Sequence, residues 1–214
     1  LILNGKDRPI KIELQNFLKE SGDTPGTRKT FIYNTFEKLM KAISKSLKKN
    51  DPNHLNLGIR YGYIEQLDDE LLRISKESFD ALSFNCYALS PDHEKMNHAL
   101  EISGLPMIIG EYHFGTVDRG LAQSLWQVNS QKERGDAFRY YTENAFAHRG
   151  LIGTGWFRWI DQNINGRTDG ENYNCGFIDV TDRPYPYMVD AAIETAKSLY
   201  LSLIHISEPT RPEP

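Results

Sequence analysis

The sequence of 214 residues is poor in cysteine, in long apolar runs and in excess charge. Its two cysteines, Cys86 and Cys175, stand far apart with no His or Cys at metal-ligand spacing, so neither a zinc site nor a disulfide framework is predicted. No apolar run approaches the roughly 20 residues that span a bilayer, and nothing at the start resembles a signal peptide. A membrane-spanning protein is therefore not expected.

Net charge is also small, at -4, and gives no reason to expect a nucleic-acid partner. A basic run does occur, but its lysines fall on the outside of a predicted helix whose other face is apolar: Lys38, Lys41, Lys45, Lys48 and Lys49. We interpret this run as a solvated helix face. With 39% hydrophobic and 25% charged residues, the composition is that of a globular protein with one sizeable core.

Apolar residues at helical spacing alternate with short apolar runs of strand length. A helix is predicted between Thr27 and Asn50, because apolar residues recur on one face: Ile32, Phe36, Leu39, Met40, Ile43 and Leu47. Four strands are predicted, at residues 54–62, 79–88, 106–115 and 150–161, and the helices that follow them begin near Asp68, Pro91, Gln131 and Pro186. Strands that alternate with helices imply a parallel sheet with right-handed crossovers.

Two parallel architectures are compatible with this order: an open doubly wound sheet, and part of an eight-stranded (β/α)8 TIM barrel. The open sheet should carry a glycine-rich phosphate loop after an early strand, and neither G-x-G-x-x-G nor G-x-x-x-x-G-K-[ST] occurs in the sequence. We therefore predict the α/β TIM-barrel fold, of which four strands make half.

Polar and aromatic residues recur where each predicted strand ends. Because chemistry in a TIM barrel is located at the C-terminal ends of the strands, these residues are candidates for one shared site. In chain order they are Arg60, Tyr61, Asn85, Tyr87, Glu111, His113, Trp156, Trp159, Asp161 and Gln162. Carboxylates, amides, an arginine and indoles suit a polyhydroxylated ligand, since sugars offer hydroxyls to polar groups and C–H faces to aromatic rings.

The third predicted strand, PMIIGEYHFG at residues 106–115, runs from apolar residues into a lone carboxylate, Glu111. Two interpretations follow from the residues alone. The glutamate is either the polar cap of an ordinary strand or a reactive group held at the mouth of a barrel.

Three segments closely resemble the C-terminal half of the catalytic domain of glycoside hydrolase family 50, the β-agarases: DPNHLNLGIR at 51–60, GEYHFGTVDRGL at 110–121 and GWFRWIDQNINGRTDGENYNCGFIDVTDRPYP at 155–186. The resemblance covers about residues 27–200. It implies a retaining glycosidase barrel, of which this chain holds roughly the fifth to eighth βα units. On that numbering Glu111 falls on the catalytic nucleophile, and Tyr87 on a tyrosine that supports the nucleophile with a hydrogen bond.

A retaining mechanism needs a second carboxyl about 5 to 5.5 Å from the nucleophile, to act as acid and then as base. In the resembled clan this glutamate follows an asparagine, and no Asn-Glu pair occurs in the sequence. We therefore expect the acid/base residue to lie upstream of Leu1. Since the sequence does not begin with Met, we expect the natural N-terminus to lie elsewhere.

The remaining candidates are assigned to substrate binding, with alternatives. Arg60 is predicted to bind a hydroxyl or steady a carboxylate, an ion pair to Asp161 being the alternative. His113 either contacts sugar or is a satisfied rim histidine. One of Trp156 and Trp159 is expected to stack on sugar while the other packs against helices, because their odd spacing points them to opposite faces of a strand. The other predicted substrate-binding residues are Asn85, Asp161, Gln162, Glu171 and Asn172, for the last of which turn formation is the alternative.

Two regions are predicted along the chain. Residues 1–200 are assigned to the barrel half, and residues 201–214 to a non-native tail, because LSLIHISEPTR at 201–211 looks like a translated sequencing adapter. The alternative is a real helix extension followed by a proline-rich tail.

The predicted function of the full-length enzyme is retaining hydrolysis of a β-linked galactan such as agarose, and the chain alone is expected to be inactive because it holds one catalytic carboxyl. The alternatives are a non-catalytic carbohydrate-binding barrel and a retaining β-galactosidase or β-glucanase of the same clan. No cofactor or metal is predicted, and the expected partner is a polysaccharide or oligosaccharide. The resemblance implies a secreted or periplasmic protein.

Overall fold

The structure is a computed structural model that describes residues 3, 4, 6 and 8–207. Its helices are α1 (Pro9–Ser21), α2 (Pro25–Asn50), α3 (Asp69–Ser78), α4 (His93–Ser103), α5 (Gln131–Phe146) and α6 (Pro186–Ser207). Its strands are β1 (Arg60–Tyr61), β2 (Leu82–Asn85), β3 (Met107–Tyr112) and β4 (Leu151–Trp156), and a 3₁₀ turn, Ile64–Gln66, follows β1. The predicted alternation of strands with helices is confirmed.

Short polar side chains start the helices at the places that local chemistry favours. The carboxylates of Asp68 and Asp92 accept hydrogen bonds from the first backbone N–H groups of α3 and α4. The Ser130 hydroxyl does the same for α5, with 3.2 Å between its Oγ and the Glu133 nitrogen. Such caps satisfy donors that have no partner inside the helix, and each contributes about 1 kcal/mol.

The strands pair in the order β1-β2-β3-β4, and every pairing is parallel. One face of the sheet packs against the helices and forms the core, where Leu82, Phe84, Met107 and Ile109 are fully buried. The opposite face carries Ser83, Asn85 and Ile108, which are half-buried, and is partly accessible. A parallel α/β fold is therefore established, with the carboxyl ends of its strands at one edge.

The structure also differs from the sequence predictions in three elements. Helix α1 was not predicted, although Leu14 and Leu18, which it buries, show the helical spacing that would have revealed it. Strand β1 is limited to two residues of the predicted segment 54–62. Helix α2 buries Phe31 and Met40 but leaves four residues of the predicted inward face more than 40% exposed: Ile32, Leu39, Ile43 and Leu47.

Helix α6 continues past Tyr200 to Ser207, so part of the predicted tail is helical. Residues 208–214 lie outside the described part of the chain, and the adapter origin of the tail stays a prediction. No helix among the described residues is both long and apolar enough to cross a membrane.

Candidate active site

A register shift in the sheet determines where the side chain of Glu111 points. Phe84 of β2 lies opposite Ile109 of β3, but the next residue, Asn85, lies opposite Glu111, so Gly110 is an extra residue in β3. With strict alternation Glu111 would share the buried face of Met107 and Ile109. The extra residue returns Glu111 to the open face, which is a common use of such bulges beside active sites.

Both carboxylate oxygens of Glu111 are held by donors from the end of the neighbouring strand β2 and from β1. Oε2 accepts a hydrogen bond from the Tyr87 hydroxyl at 2.7 Å and another from Asn85 Nδ2 at 3.0 Å. Oε1 forms an ion pair with Arg60 Nη2 at 2.8 Å. The Glu111 side chain nevertheless keeps 17% of its surface accessible. The structure therefore brings Arg60, Asn85, Tyr87 and Glu111 together.

The Tyr87 hydroxyl is held in its protonated, donating form. Burial raises the pKa of Tyr87 above its usual value, and the hydrogen bond to Glu111 raises it further. The His113 ring meets the Tyr87 ring edge-on, with 4.8 Å between centroids, and limits the directions that the phenol can take. Tyr87 is therefore a protonated donor to Glu111 at neutral pH.

His113 itself has no free nitrogen for a sugar hydroxyl, which corrects its assignment to substrate binding. The side chain is 1% exposed. Nδ1 lies 3.0 Å from the Phe157 carbonyl, and Nε2 accepts the backbone N–H of Leu125 at 3.1 Å. Burial is the main reason that the pKa of His113 falls from 6.5 to about 4. His113 is the satisfied rim histidine of the alternative interpretation.

Trp156 is the last residue of β4 and Trp159 lies beyond the strand, and the two indoles face different environments. Trp156 packs against Phe138 of α5, with 5.5 Å between ring centroids, and its Nε1 donates to the Cys175 carbonyl at 2.8 Å. Trp159 is 69% exposed and stacks one face on Phe177. Trp156 is therefore the helix-side residue, and Trp159 is the one that remains available to a ligand.

Asp161 is 4% exposed and Gln162 is fully buried, and both are hydrogen-bonded within the protein, which argues against their assignment to substrate binding. Asp161 accepts the Tyr185 hydroxyl and the Gly176 N–H, each at 2.6 Å. Gln162 donates to Glu171 at 2.8 Å and accepts the backbone N–H of Tyr173 at 2.7 Å. Arg60 pairs with Glu111, so the predicted alternative of an ion pair with Asp161 does not occur.

Glu171 and Asn172 lie in the loop after β4, partly accessible and partly engaged. Glu171 accepts a hydrogen bond from Gln162 Nε2. It also forms an ion pair with Arg167, with 3.2 Å between Nη2 and Oε2. The Asn172 side chain contacts the Ala122 N–H at 3.3 Å, and the backbones of the same two residues are also hydrogen-bonded. These contacts join the loops that follow β3 and β4, and their bearing on substrate stays a prediction.

A buried arginine that the sequence analysis did not single out connects the same loops to α5. Arg134 is fully buried and donates to the carbonyls of Phe114 at 3.1 Å and Gly176 at 2.7 Å and to Gln131 Oε1 at 2.7 Å. Its guanidinium also lies 5.0 Å from the centre of the Tyr185 ring. An arginine in a helical segment offers no sequence signal of burial, because its partners come from distant loops.

Fold and site together define a class of protein. It is a parallel α/β protein in which three donor residues hold a carboxylate at the carboxyl end of the strands. Ligands and catalytic groups of α/β proteins are concentrated at this edge. Relatives of the chain narrow that class.

β-Agarase A of Vibrio sp. (strain JT0107) is 36% identical over 165 residues, which cover 74% of this chain and 16% of that protein. β-Agarase B of the same strain is 34% identical over 171 residues, which cover 77% of this chain and 17% of that protein. A solved exo-β-agarase structure matches with a TM-score of 0.78 and 31% identity, over 84% of this chain and 24% of that one. No family model matches the chain.

The chain is a β-agarase-like region of glycoside hydrolase family 50. It spans 16% to 17% of the length of the two curated relatives. The sequence resemblance is thereby confirmed at the level of the family.

Proposed function

We propose that this chain is part of a retaining glycoside hydrolase that acts on a β-linked galactan such as agarose, and that Glu111 is its nucleophile. In the finer form of the proposal, the four strands are the fifth to eighth of a (β/α)8 barrel, and residues 1–200 belong to its catalytic domain. The agarase activity named for the two Vibrio relatives supports the substrate class.

One observation carries the proposal. Glu111 is held at both carboxylate oxygens by Tyr87, Asn85 and Arg60, yet its side chain remains accessible from the open face of the sheet. A carboxylate that only capped a strand would need neither this number of donors nor this orientation. Donors fixed before the reaction orient a nucleophile at no further cost during it.

In the proposed reaction, a Glu111 oxygen forms a bond to the anomeric carbon while the glycosidic C–O bond breaks. The departing oxygen takes a proton from the acid partner, which we place outside this chain. A water molecule then gives its proton to that partner and bonds to the anomeric carbon as the bond to Glu111 breaks. Water is added across the glycosidic bond, and two inversions leave the configuration unchanged.

Tyr87, Asn85 and Arg60 serve both steps. They orient Glu111 before attack and stabilise its returning negative charge when Glu111 departs from the glycosyl intermediate. A hydrogen bond to a charged group contributes about 1.5 to 3 kcal/mol, so loss of the Tyr87 hydroxyl should lower turnover by about 10- to 100-fold. Accessible Trp159 and Glu171 are the candidates for contact with the sugar chain.

The test is Glu111→Ala in the complete protein that carries this region. We expect turnover of agarose to be abolished, and azide to restore activity on an activated aryl β-galactoside with an α-configured glycosyl azide as product. The small anion attacks from the face that the glutamate has vacated. Glu65→Ala is the matched control, since Glu65 is an accessible carboxylate that pairs with Lys95 on the surface.

Other outcomes would separate the alternatives. A β-configured azide would make Glu111 the acid/base residue and would overturn the strand numbering. Tight binding of agarose with no hydrolysis by the unaltered protein would instead favour a non-catalytic carbohydrate-binding barrel. Faster turnover of a short β-galactoside or a β-glucan than of agarose would keep the mechanism but change the substrate.

A further inference from the structure

Arg60 reaches Glu111 by crossing a whole strand. Arg60 lies on β1 and is in register with Ser83 of β2, whereas Glu111 lies on β3. Neighbouring strands are about 4.8 Å apart, so β1 and β3 are separated by about 10 Å. The arginine side chain must therefore pass over the open face of β2 and onto β3 before Nη2 meets Oε1 at 2.8 Å.

Gly110 leaves the space through which this side chain passes. A Cβ atom placed on Gly110 would lie 2.3 Å from Arg60 Cδ, 3.0 Å from Arg60 Cγ and 3.2 Å from Ser83 Oγ. The first of these distances is far below van der Waals contact. Gly110 is not among the glycines with a positive φ, so space and not backbone conformation is what requires glycine here.

We propose that Gly110 and Arg60 are positioning residues for Glu111: the missing side chain at Gly110 lets Arg60 lie across the sheet and fix the carboxylate plane. This inference rests on the proposed role of Glu111 as the nucleophile. Tyr87 and Asn85 bind one oxygen, and Arg60 binds the other. A carboxylate bound at both oxygens cannot rotate about its last bond, which keeps it aligned for attack.

Kinetic measurements distinguish a positioning role of Arg60 from direct binding of sugar by Arg60. A positioning arginine changes the rate of bond formation at Glu111, whereas a sugar ligand mainly changes the affinity for substrate. The Arg60 side chain is 50% exposed, so a methyl group at residue 110 can displace it into solvent without disturbing the core. Gly110→Ala should therefore act on Glu111 through Arg60.

The experiment compares Gly110→Ala, Arg60→Ala and the double variant of the complete protein. Three quantities are measured with activated galactosides: kcat and KM for an aryl β-galactoside, and the rate at which a 2-deoxy-2-fluoro-β-galactoside labels Glu111. We expect each single variant to lower kcat and the labelling rate by about 10- to 100-fold, with little change in KM. The double variant should be no slower than Arg60→Ala, because both changes remove one interaction.

Gly153→Ala is the matched control. Gly153 lies on β4 of the same sheet, and a Cβ there would meet nothing nearer than Ile108 at 3.8 Å. Its kcat and labelling rate should equal those of the unaltered protein. Arg60→Lys should recover part of the labelling rate that Arg60→Ala loses, since a cation is again available to Glu111.

Additive losses in the double variant would overturn the proposal, because Gly110 would then act independently of Arg60. A rise in KM alone in Arg60→Ala would make Arg60 a sugar ligand instead. If Gly110→Ala does not fold, Arg60→Ala still tests the proposal. An unchanged labelling rate in Arg60→Ala refutes the positioning role. Failure of the proposed function is distinguishable: the unaltered protein would then turn over substrate with no label on Glu111.

Discussion

Acidification should loosen the loop after β3 because His113 must then take up a proton. The pKa of His113 is lowered from 6.5 to about 4, first by burial and further by the nearby positive charge of Arg134, whereas the hydrogen bond to Phe157 acts in the opposite direction. Protonation would also place an N–H group against the backbone N–H of Leu125, which Nε2 now accepts. The contact that would be lost joins β3 to the loop at residues 116–130.

The sign and size of the effect follow from the two pKa values. The unfolded chain binds this proton as the pH falls through 6.5, whereas the folded protein resists until about 4. The stability that neutral His113 contributes is therefore complete above pH 6.5 and is lost as the pH falls toward 4. At about pH 5 the loss is about 2 kcal/mol, and its limit is about 3 kcal/mol.

Hydrogen exchange at several pH values measures this loss locally in the complete protein. After correction for intrinsic exchange, protection of amides in peptides covering residues 113–126 should fall about 30-fold between about pH 8 and pH 5. In His113→Asn, which retains a donor for the Phe157 carbonyl but has no group with this pKa, the fall should be largely absent. An equal fall in both proteins would refute the assignment of the effect to His113.

Two further predictions concern activity and the buried network. The 214-residue chain by itself should hydrolyse neither agarose nor aryl galactosides, because the proposed mechanism needs an acid partner that we place outside it. It should also show no sharp melt above about 50 °C, because the four-stranded parallel sheet formed by the described residues leaves one face and two edges uncovered. Turnover by the purified chain that is lost in Glu111→Ala would contradict this prediction. Arg134→Met in the complete protein should destabilise this region by about 3 to 5 kcal/mol, because it leaves two buried carbonyls without a donor. Arg139→Met, which removes only an accessible ion pair with Glu143 on the same helix, should leave the melting temperature nearly unchanged and serves as the control.

Much of the fold could be read from local sequence. The spacing of apolar residues predicts α2 to α6 and the four strands, and capping residues such as Asp68, Asp92 and Ser130 mark where helices begin. These features depend on residues a few positions apart, so the sequence expresses them directly. The apolar run that ends at Glu111 and the aromatic and amide residues at the neighbouring strand ends likewise made Glu111 a candidate site residue without the structure.

The roles of individual site residues depended on partners far away along the chain. Alternation along β3 would have buried Glu111, and only the register with β2 shows that Gly110 is the extra residue that turns it outward. His113, Asp161 and Gln162 are residue types that suit a sugar site, but the loops bury them and form hydrogen bonds with them. Such pairings form only when the strands and loops have packed, because buried polar groups must find a partner wherever the chain supplies one. The sequence by itself determined most of the elements and the candidate carboxylate, Glu111, whereas the tertiary structure decided which neighbours contact that carboxylate and which hold the protein together.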